Sequence, residues 1–213
     1  MSVLAVSKKD NLLHAPDTYM EKIAVGRNIK EGVIDLDFDI TKNLKNLADF
    51  KNTTPDKLTI CLLERERHDH IVKDAKQLGT KIKFISDGDV AGAIYAGIEE
   101  FKVDIYLGVG GAPEGVLAAA AIKCLGGQFQ ARLVLSNEHE IDKAKKMGIK
   151  DLKKKYYIND IVKDDVLFCA TGVTGGDLLQ GIEILDNGFY QSETYVLHHA
   201  SKLNKKIINK FKI

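Results

Sequence analysis

The stretch Gly108-Val109-Gly110-Gly111-Ala112-Pro113-Glu114-Gly115-Val116 joins an apolar run, which begins after Asp104, to helix-forming residues that continue to Leu125. This order predicts a strand, a glycine turn and a helix. Glycines let the backbone turn sharply, and the first N–H groups of a helix are unpaired and carry partial positive charge. The turn is therefore predicted to bind an anion.

Glu114 has two interpretations. It falls in the first turn of the predicted helix, where an acidic side chain interacts favourably with the helix dipole. The alternative is a metal ligand or a catalytic carboxylate at the rim of an anion pocket. Spacing alone favours the first interpretation, in which Glu114 only interacts with the helix dipole.

The composition is that of a globular chain. Of the 213 residues, 45% are hydrophobic and 29% are charged, which is ordinary for a folded domain. The net charge of +1 produces no broad field that would attract nucleic acid or a membrane, so neither is a predicted partner. Cys61, Cys124 and Cys169 lie in apolar segments without metal-ligand spacing and are predicted to be reduced core residues. Without a signal pattern or a spanning run, the protein is predicted to be cytoplasmic.

Strand and helix patterns alternate through the middle of the chain. Strand patterns occur at residues 58–63, 81–85, 103–109, 131–135 and 166–170, and helical patterns occur at 67–78, 90–98, 112–125 and 138–147. This alternation predicts an α/β fold with a mainly parallel sheet and helices on both of its faces. We assign the α/β core to residues 55–180 and the flanking strands to residues 1–50 and 185–213.

The flanks differ from this core. Residues 3–6, 20–25 and 189–199 have strand patterns without intervening helices, which predicts antiparallel edges or a second sheet. The tail from Lys202 to Ile213 is predicted to be a basic amphipathic helix that docks its apolar side on the body of the protein rather than on a membrane.

Polar residues follow the predicted strands. Arginines, carboxylates and glycines occur in the segments 64–69, 87–89, 108–116 and 171–177. In α/β sheets the ligand crevice lies beyond the carboxyl ends of the strands. Guanidinium groups offer paired donors to phosphate, and carboxylates accept hydrogen bonds from sugar hydroxyls or bind a hard divalent cation. The four segments together indicate a polar, phosphorylated substrate.

Each segment alone also has a structural interpretation. Asp87 and Asp89 are compatible with a turn followed by a helix cap at Asp89. Arg65 and Arg67 are compatible with weak surface pairs to neighbouring glutamates, and His68 with a cap of the next helix. Only the coincidence of the four segments at one edge favours a ligand site.

Five segments resemble class II fructose-1,6-bisphosphatases, the GlpX-type bacterial enzymes, in residues and in order. The likeness runs from about Val3 to the neighbourhood of Thr194. The segments that carry it are Ala15–Lys22, Arg67–Asp69, Ser86–Val90, Gly108–Val116 and Ala170–Leu178.

The resemblance implies hydrolysis of the 1-phosphate of fructose 1,6-bisphosphate in gluconeogenesis and glycerol metabolism, assisted by Mn2+ or Mg2+. It also implies a layered α/β sugar-phosphatase fold and a homo-oligomer. Glu114 is implied as a metal ligand, which reverses the interpretation that spacing favours. The substrate-binding residues implied by the motifs are Tyr19, Arg65, Glu66, Arg67, Asp87, Gly88, Asp89 and Gly111. At residues 65–67 the family usually has Lys-Pro-Arg, and this chain keeps both cations.

The family enzymes begin with a further N-terminal portion that carries several acidic metal ligands, and no such motif occurs in this sequence. The resemblance therefore leads us to expect a truncated chain that is inactive alone. A second hypothesis is a non-catalytic sugar-phosphate-binding module, or a partner of a separately encoded N-terminal portion. A third hypothesis is a dinucleotide-binding domain built on Gly108 and Gly110, which is weakened because Pro113 replaces the third glycine of that motif.

Overall fold

The structure is a computed structural model that describes residues 1–212. Its strands are β1 (Ser2–Ser7), β2 (Tyr19–Val25), β3 (Thr59–Leu63), β4 (Lys81–Ile85), β5 (Ile105–Gly111), β6 (Gln128–Val134), β7 (Tyr156–Tyr157), β8 (Val166–Thr171), β9 (Glu183–Ile184), β10 (Phe189–His198) and β11 (Leu203–Lys212). Its α-helices are α1 (Ile40–Phe50), α2 (Asp69–Gln77), α3 (Asp89–Gly97), α4 (Ala112–Leu125), α5 (Glu138–Lys146) and α6 (Ile158–Ile161).

The strands form two sheets. The first sheet has the order β4-β3-β5-β2-β6-β7, and the second has the order β1-β8-β10-β11, with β9 paired to β10. The predicted α/β class is confirmed. Strand β3 pairs in parallel with β4 and β5, whereas β2 pairs antiparallel with β5 and β6. The parallel pairs are those that follow helical crossovers, as the connection rules require.

Two hydrophobic clusters divide the molecule into layers. One cluster joins α1 and α2 to the outer face of the first sheet. The other lies between the two sheets and includes α3, α4 and the inner face of the second sheet. Helix α4 is buried between two layers, which explains why its Ala118–Ala121 segment needs no polar face. The order of layers is helices, sheet, helices, sheet.

The position of Met20–Val25 differs from its prediction as an edge or part of a second sheet. This segment forms most of β2, which lies inside the first sheet between β5 and β6. The reason is that β2 buries apolar side chains on both of its faces. Met20 and Ala24 belong to the inner cluster, and Ile23 and Val25 belong to the outer one. A strand that is buried on both faces must lie in the interior of a sheet. Strands β1 and β10 do belong to a second sheet, as predicted.

The predicted C-terminal helix is wrong. Leu203–Lys212 is the strand β11, which pairs antiparallel along the whole of β10, and Ile213 lies outside the described residues. The rings of Tyr190 and Phe211 stack across this pair with centroids 5.9 Å apart. A short apolar pattern is compatible with a helix or with a strand. Here the hydrogen bonds to β10 stabilise the strand.

The three cysteines are free and lie at buried or partly buried positions, as predicted. Cys61 is buried, and Cys124 and Cys169 are partly buried. Burial raises the pKa of the Cys61 and Cys124 thiols to about 12, which keeps them protonated. Within residues 1–212, no helix has both the length and the apolar character that crossing a bilayer requires.

Candidate functional site

The first sheet changes direction of winding between β3 and β5. Strand β3 leads into α2, which packs on the outer face, and β5 leads into α4, which packs on the inner face. The two strands are neighbours. Adjacent strands whose following helices lie on opposite faces open a crevice beyond their carboxyl ends, where α/β proteins bind ligands.

A depression of about 500 Å³, here called the site cavity, lies at this edge. Of the predicted site residues, all but Glu66 and Gly88 line it. Tyr19 reaches the cavity because β2 runs antiparallel to β5, so that its first residue pairs with Gly111. The complete lining is Asp17, Thr18, Tyr19, Leu63, Arg65, Arg67, Asp87, Asp89, Gly110, Gly111, Glu114 and Glu140.

Glu66 and Gly88 lie outside this lining. Glu66 is exposed in a single 3₁₀ turn. Gly88 is the N-cap of α3 with φ of +81°, a conformation that favours glycine. It lines a neighbouring depression of about 410 Å³, which also holds Gly172 and Thr174 of the fourth predicted segment. Asp87 lines both depressions, so the glycine loop after β8 lies beside the site cavity rather than in it.

Backbone carbonyls hold the two arginines in place. Arg67 donates from Nε and Nη2 to the oxygen of Val109 at 3.0 and 2.8 Å, and its guanidinium lies 5.2 Å from the ring centroid of Tyr19. Arg65 donates to the carbonyls of Glu64 and Ser86. In the part of the chain that is described, neither arginine forms a salt bridge, so the interpretation as glutamate pairs is wrong. The carbonyls orient both guanidinium groups and leave their positive charge without a carboxylate partner.

His68 is fully buried and joins β3 to the glycine turn. Its Nδ1 lies 2.8 Å from the carbonyl oxygen of Leu63, and the N–H of Val109 donates to Nε2 at 2.8 Å. Because a carbonyl only accepts and an N–H only donates, the ring is neutral with its proton on Nδ1. Burial lowers the pKa of His68. The histidine is therefore a structural link, and it caps no helix through its side chain.

Sequence reasoning missed a buried ion pair beneath the cavity. The side chain of Lys22 is 0% exposed, and its Nζ donates to Oδ2 of Asp89 and to the carbonyl oxygen of Gly111, the latter at 2.7 Å. Asp89 is the first residue of α3 and does not cap it, because Gly88 is the N-cap. Burial lowers the pKa of Lys22, and the Asp89 carboxylate opposes this shift. The available signal was a lysine on the same face of β2 as the buried Met20 and Ala24.

Glu114 lies in the first turn of α4, is exposed, and extends its carboxylate over Gly111. This position is compatible with both interpretations of Glu114. Asp17, Asp87, Asp89 and Glu140 also line the cavity, so its carboxylates outnumber its arginines. Among residues 1–212, however, no group of three or more histidine, cysteine, aspartate or glutamate side chains is arranged to hold a metal ion. These residues alone therefore do not provide a metal site.

The chain is similar in sequence to known proteins over most of its length. The chain is 41% identical over 221 residues to the fructose-1,6-bisphosphatase class 2 of Haemophilus influenzae, a match that covers 97% of this chain and 66% of the relative. It is 39% identical over 202 residues to the fructose-1,6-bisphosphatase 2 class 2 of Escherichia coli K12, covering 88% and 62%. It is 36% identical over 215 residues to a D-fructose 1,6-bisphosphatase class 2/sedoheptulose 1,7-bisphosphatase of Synechococcus, covering 95% and 61%.

The chain thus spans somewhat less than two thirds of the length of these relatives. The family model for bacterial fructose-1,6-bisphosphatase, glpX-encoded, matches residues 1–211. The match therefore includes β1, the whole of the first sheet and nearly all of the second. The chain belongs to the glpX-encoded bacterial fructose-1,6-bisphosphatase family.

Proposed function

We propose that the chain takes part in hydrolysing the 1-phosphate of fructose 1,6-bisphosphate, as a cytoplasmic, homo-oligomeric class 2 fructose-1,6-bisphosphatase of gluconeogenesis. The observation that carries this proposal is the convergence of Arg67, Asp87 and Glu114 on one cavity beside the glycine turn. The names of the relatives support the assignment of fructose 1,6-bisphosphate as the substrate.

The contacts support a role for each group. Arg65 and Arg67, which have no carboxylate partner among the described residues, bind a phosphate of the substrate. Asp87 and Asp89 accept hydrogen bonds from sugar hydroxyls. The turn at Gly111 brings backbone close to the ligand at the start of α4, where the helix dipole favours an anion. Tyr19 forms one wall of the cavity beside Arg67.

The negative charge of the cavity lining supports the proposal that the site binds a divalent cation. Five carboxylates and two arginines line the cavity, so a bisphosphate adds negative charge to a site that is already negative. Mn2+ or Mg2+ would offset this charge and would polarise phosphate oxygens when bound. Glu114 would contribute one ligand. The described residues do not complete a metal site, so we assign no step of the reaction to the ion.

Binding of fructose 1,6-bisphosphate tests the proposal. Isothermal titration calorimetry with the 213-residue chain is expected to show binding that Arg67→Gln weakens by about tenfold or more, since a charge-assisted hydrogen bond contributes about 1.5–3 kcal/mol. The matched control is Lys73→Gln, which removes an exposed cation on α2 outside the cavity. Equal affinities of the wild-type chain and Arg67→Gln would contradict the role of the cavity.

The second candidate is a sugar-phosphate-binding module that works as the partner of a further part of the family's polypeptide. The observation that favours it is the face of the second sheet that points away from α4, here called the outer face. Leu4, Val6 and Ile207 on this face are 49%, 56% and 41% exposed. The register places Leu167, Cys169 and Val196 on the same face. The register also places Thr171, Thr194 and Lys205 on this face, at the margin of the apolar patch. An exposed apolar patch on a sheet face marks an interaction surface.

Reconstitution distinguishes the two candidates. The chain is mixed with the separately produced part of the Haemophilus influenzae relative that lies outside the match. A partner role predicts a complex and phosphate release only in the mixture. Val6→Lys is expected to abolish the complex, and Gln77→Lys, which adds the same charge on α2, is expected to leave it unchanged. Phosphate release by the chain alone at roughly 1 per second or faster would contradict the partner role.

A further inference from the structure

We propose that Lys22 is a positioning residue whose buried ammonium group presets the Asp89 carboxylate and the glycine turn for the sugar phosphate. This inference rests on the proposed function, because Asp89 and Gly111 are the groups assigned there to the substrate. Lys22 itself is fully buried and does not line the site cavity. It therefore acts through the two groups that it holds and not by touching the ligand.

The topology explains how one lysine reaches both groups. Lys22 pairs with Gly108 across the junction of β2 and β5, and its side chain lies on the inner face with Met20 and Ala24. The helices α3 and α4 begin on this same side of the sheet. The Nζ atom donates to Asp89 in the first turn of α3 and to the carbonyl of Gly111 just before α4. A single buried donor on β2 thus links the first turn of α3 to the residue that precedes α4.

The glycines around the turn leave the space that this lysine fills. A Cβ atom built at Gly110 would lie 3.2 Å from Nζ of Lys22, and one built at Gly115 would lie 3.3 Å from its Cε. A side chain at either position would therefore press on the lysine. In a closely packed interior the ammonium group has few alternative positions, so Asp89 and Gly111 are held in one arrangement.

Stability alone is a poor reason for a lysine at this position. A buried ion pair is often no more stable than apolar residues of the same volume, because desolvation of both charges offsets their attraction. The starts of two helices also carry partial positive charge, which disfavours an ammonium group nearby. What the pair does achieve is a fixed carboxylate at the wall of the cavity, which an apolar pair would lack.

A comparison of two ligands separates positioning from general support of the fold. Fructose 1,6-bisphosphate has two phosphates and sugar hydroxyls, whereas 1,6-hexanediol bisphosphate has the two phosphates and no hydroxyls. In Lys22→Gln we expect the affinity for the sugar to fall about tenfold more than the affinity for the diol, which corresponds to about 1.4 kcal/mol. Both affinities are measured by calorimetry on the full chain with Mg2+. Equal losses for the two ligands would overturn the proposal.

The matched control is Lys155→Gln. Lys155 also forms ion pairs, with the partly buried Asp35 and the exposed Asp37, but it lies outside the site cavity. Its loss is expected to lower stability and to leave the ratio of the two affinities at the wild-type value. If Lys22→Gln does not fold, Lys22→Arg keeps the charge with a different donor geometry, and the same selective loss is expected. An unchanged affinity ratio in that variant would overturn the proposal.

A ligand-free measurement separates this inference from the proposed function. If the wild-type chain binds neither bisphosphate, the proposed function fails. The amide spectrum of the free protein then tests whether Lys22 positions the glycine turn. Positioning predicts that the 15N–1H signals of Gly110 and Gly111 shift in Lys22→Gln and not in Lys155→Gln. Unshifted signals of both glycines would contradict the role of Lys22.

Discussion

Three side chains hold the peptide groups of the glycine turn from different sides. Arg67 binds the carbonyl of Val109, His68 accepts the N–H of the same residue, and Lys22 binds the carbonyl of Gly111. The turn has almost no side chains of its own, so its conformation depends on these distant residues. At the scale of the residue, the site is therefore a short backbone segment that is oriented by its neighbours.

Two adjacent glycines are expected to respond differently to a methyl group. In Gly110→Ala the new Cβ collides with the Asp89 carboxylate of the buried pair, and the expected loss is about 1–3 kcal/mol of unfolding free energy. In Gly111→Ala the Cβ meets only the exposed carboxylate of Glu114, which can rotate away, and the expected loss is about 0.5 kcal/mol or less. Urea unfolding of both variants measures the difference. Equal losses would show that the Lys22–Asp89 pair yields as easily as Glu114.

His68 is expected to make the protein less stable in mild acid. Its folded pKa lies below the ordinary value of 6.5 because burial disfavours the charged ring. Below that value the unfolded chain binds more protons than the folded chain, so the free energy of unfolding falls as the pH drops from about 6.5 through the folded pKa. Above about pH 6.5 the ring is neutral in both the folded and the unfolded chain, so His68 no longer lowers the free energy of unfolding.

Urea unfolding at about pH 7.5 and about pH 5.5 measures this loss. His199 also has a lowered pKa, with burial as the main cause, so the comparison is made in a His199→Gln background. Replacing His68 by Gln in that background is expected to reduce the loss between the two pH values. An identical pH dependence with and without His68 would refute the assignment.

At the scale of the element, capping explains where helix α1 begins, and strand pairing explains why the C-terminal segment is a strand. Helix α1 was not predicted from the sequence, although Asp39 is an N-cap whose side chain accepts from the N–H of Lys42 at 2.6 Å. The helix then buries Leu44 and Leu47 against the first sheet. Strand β11 shows the opposite case, because its apolar pattern is satisfied by pairing with β10 rather than by a helix.

Removal of the α1 cap provides a prediction for this element. Asp39→Ala is expected to lower the free energy of unfolding by about 0.5–2 kcal/mol, because one N–H of the first turn loses its partner. Asp49→Ala in the last turn of the same helix is the matched control. An acidic side chain there opposes the helix dipole, so its removal is expected to be neutral or slightly stabilising. Thermal unfolding of the two variants tests the contrast, and equal losses would argue against the cap.

At the scale of the whole molecule, the layers of helices and sheets create the crevice that holds the site cavity and, within residues 1–212, leave one face of the second sheet uncovered. The site cavity lies where the helices after β3 and β5 separate onto opposite faces. Its lining is drawn from segments as far apart as Asp17 and Glu140. The outer face of the second sheet has no covering layer within residues 1–212, which is why assembly with a further polypeptide is a specific alternative.

The balance of charge over the whole cavity predicts a strong effect of cation removal. Carboxylates exceed arginines in the lining, so chelation with EDTA is expected to weaken binding of fructose 1,6-bisphosphate by about tenfold or more, through repulsion that the ion would offset. Calorimetric titrations with Mg2+ and with EDTA measure the change. Sodium chloride at matched ionic strength controls for general screening. Affinity that does not depend on Mg2+ would contradict the proposed use of a cation.

The sequence by itself determined the strand–turn–helix unit at Gly108–Val116 and most segments that alternate around it. It also identified Arg67, Asp87 and Glu114 as residues at one edge, because periodicity and turn chemistry are local and parallel strands end at a common edge. Only the tertiary structure decided that β2 lies inside the first sheet, that the tail is a strand, and that Lys22 pairs with Asp89 beneath the cavity. Strand neighbours and buried partners depend on contacts between residues far apart in the chain, and no local pattern encodes which of the available partners will be met.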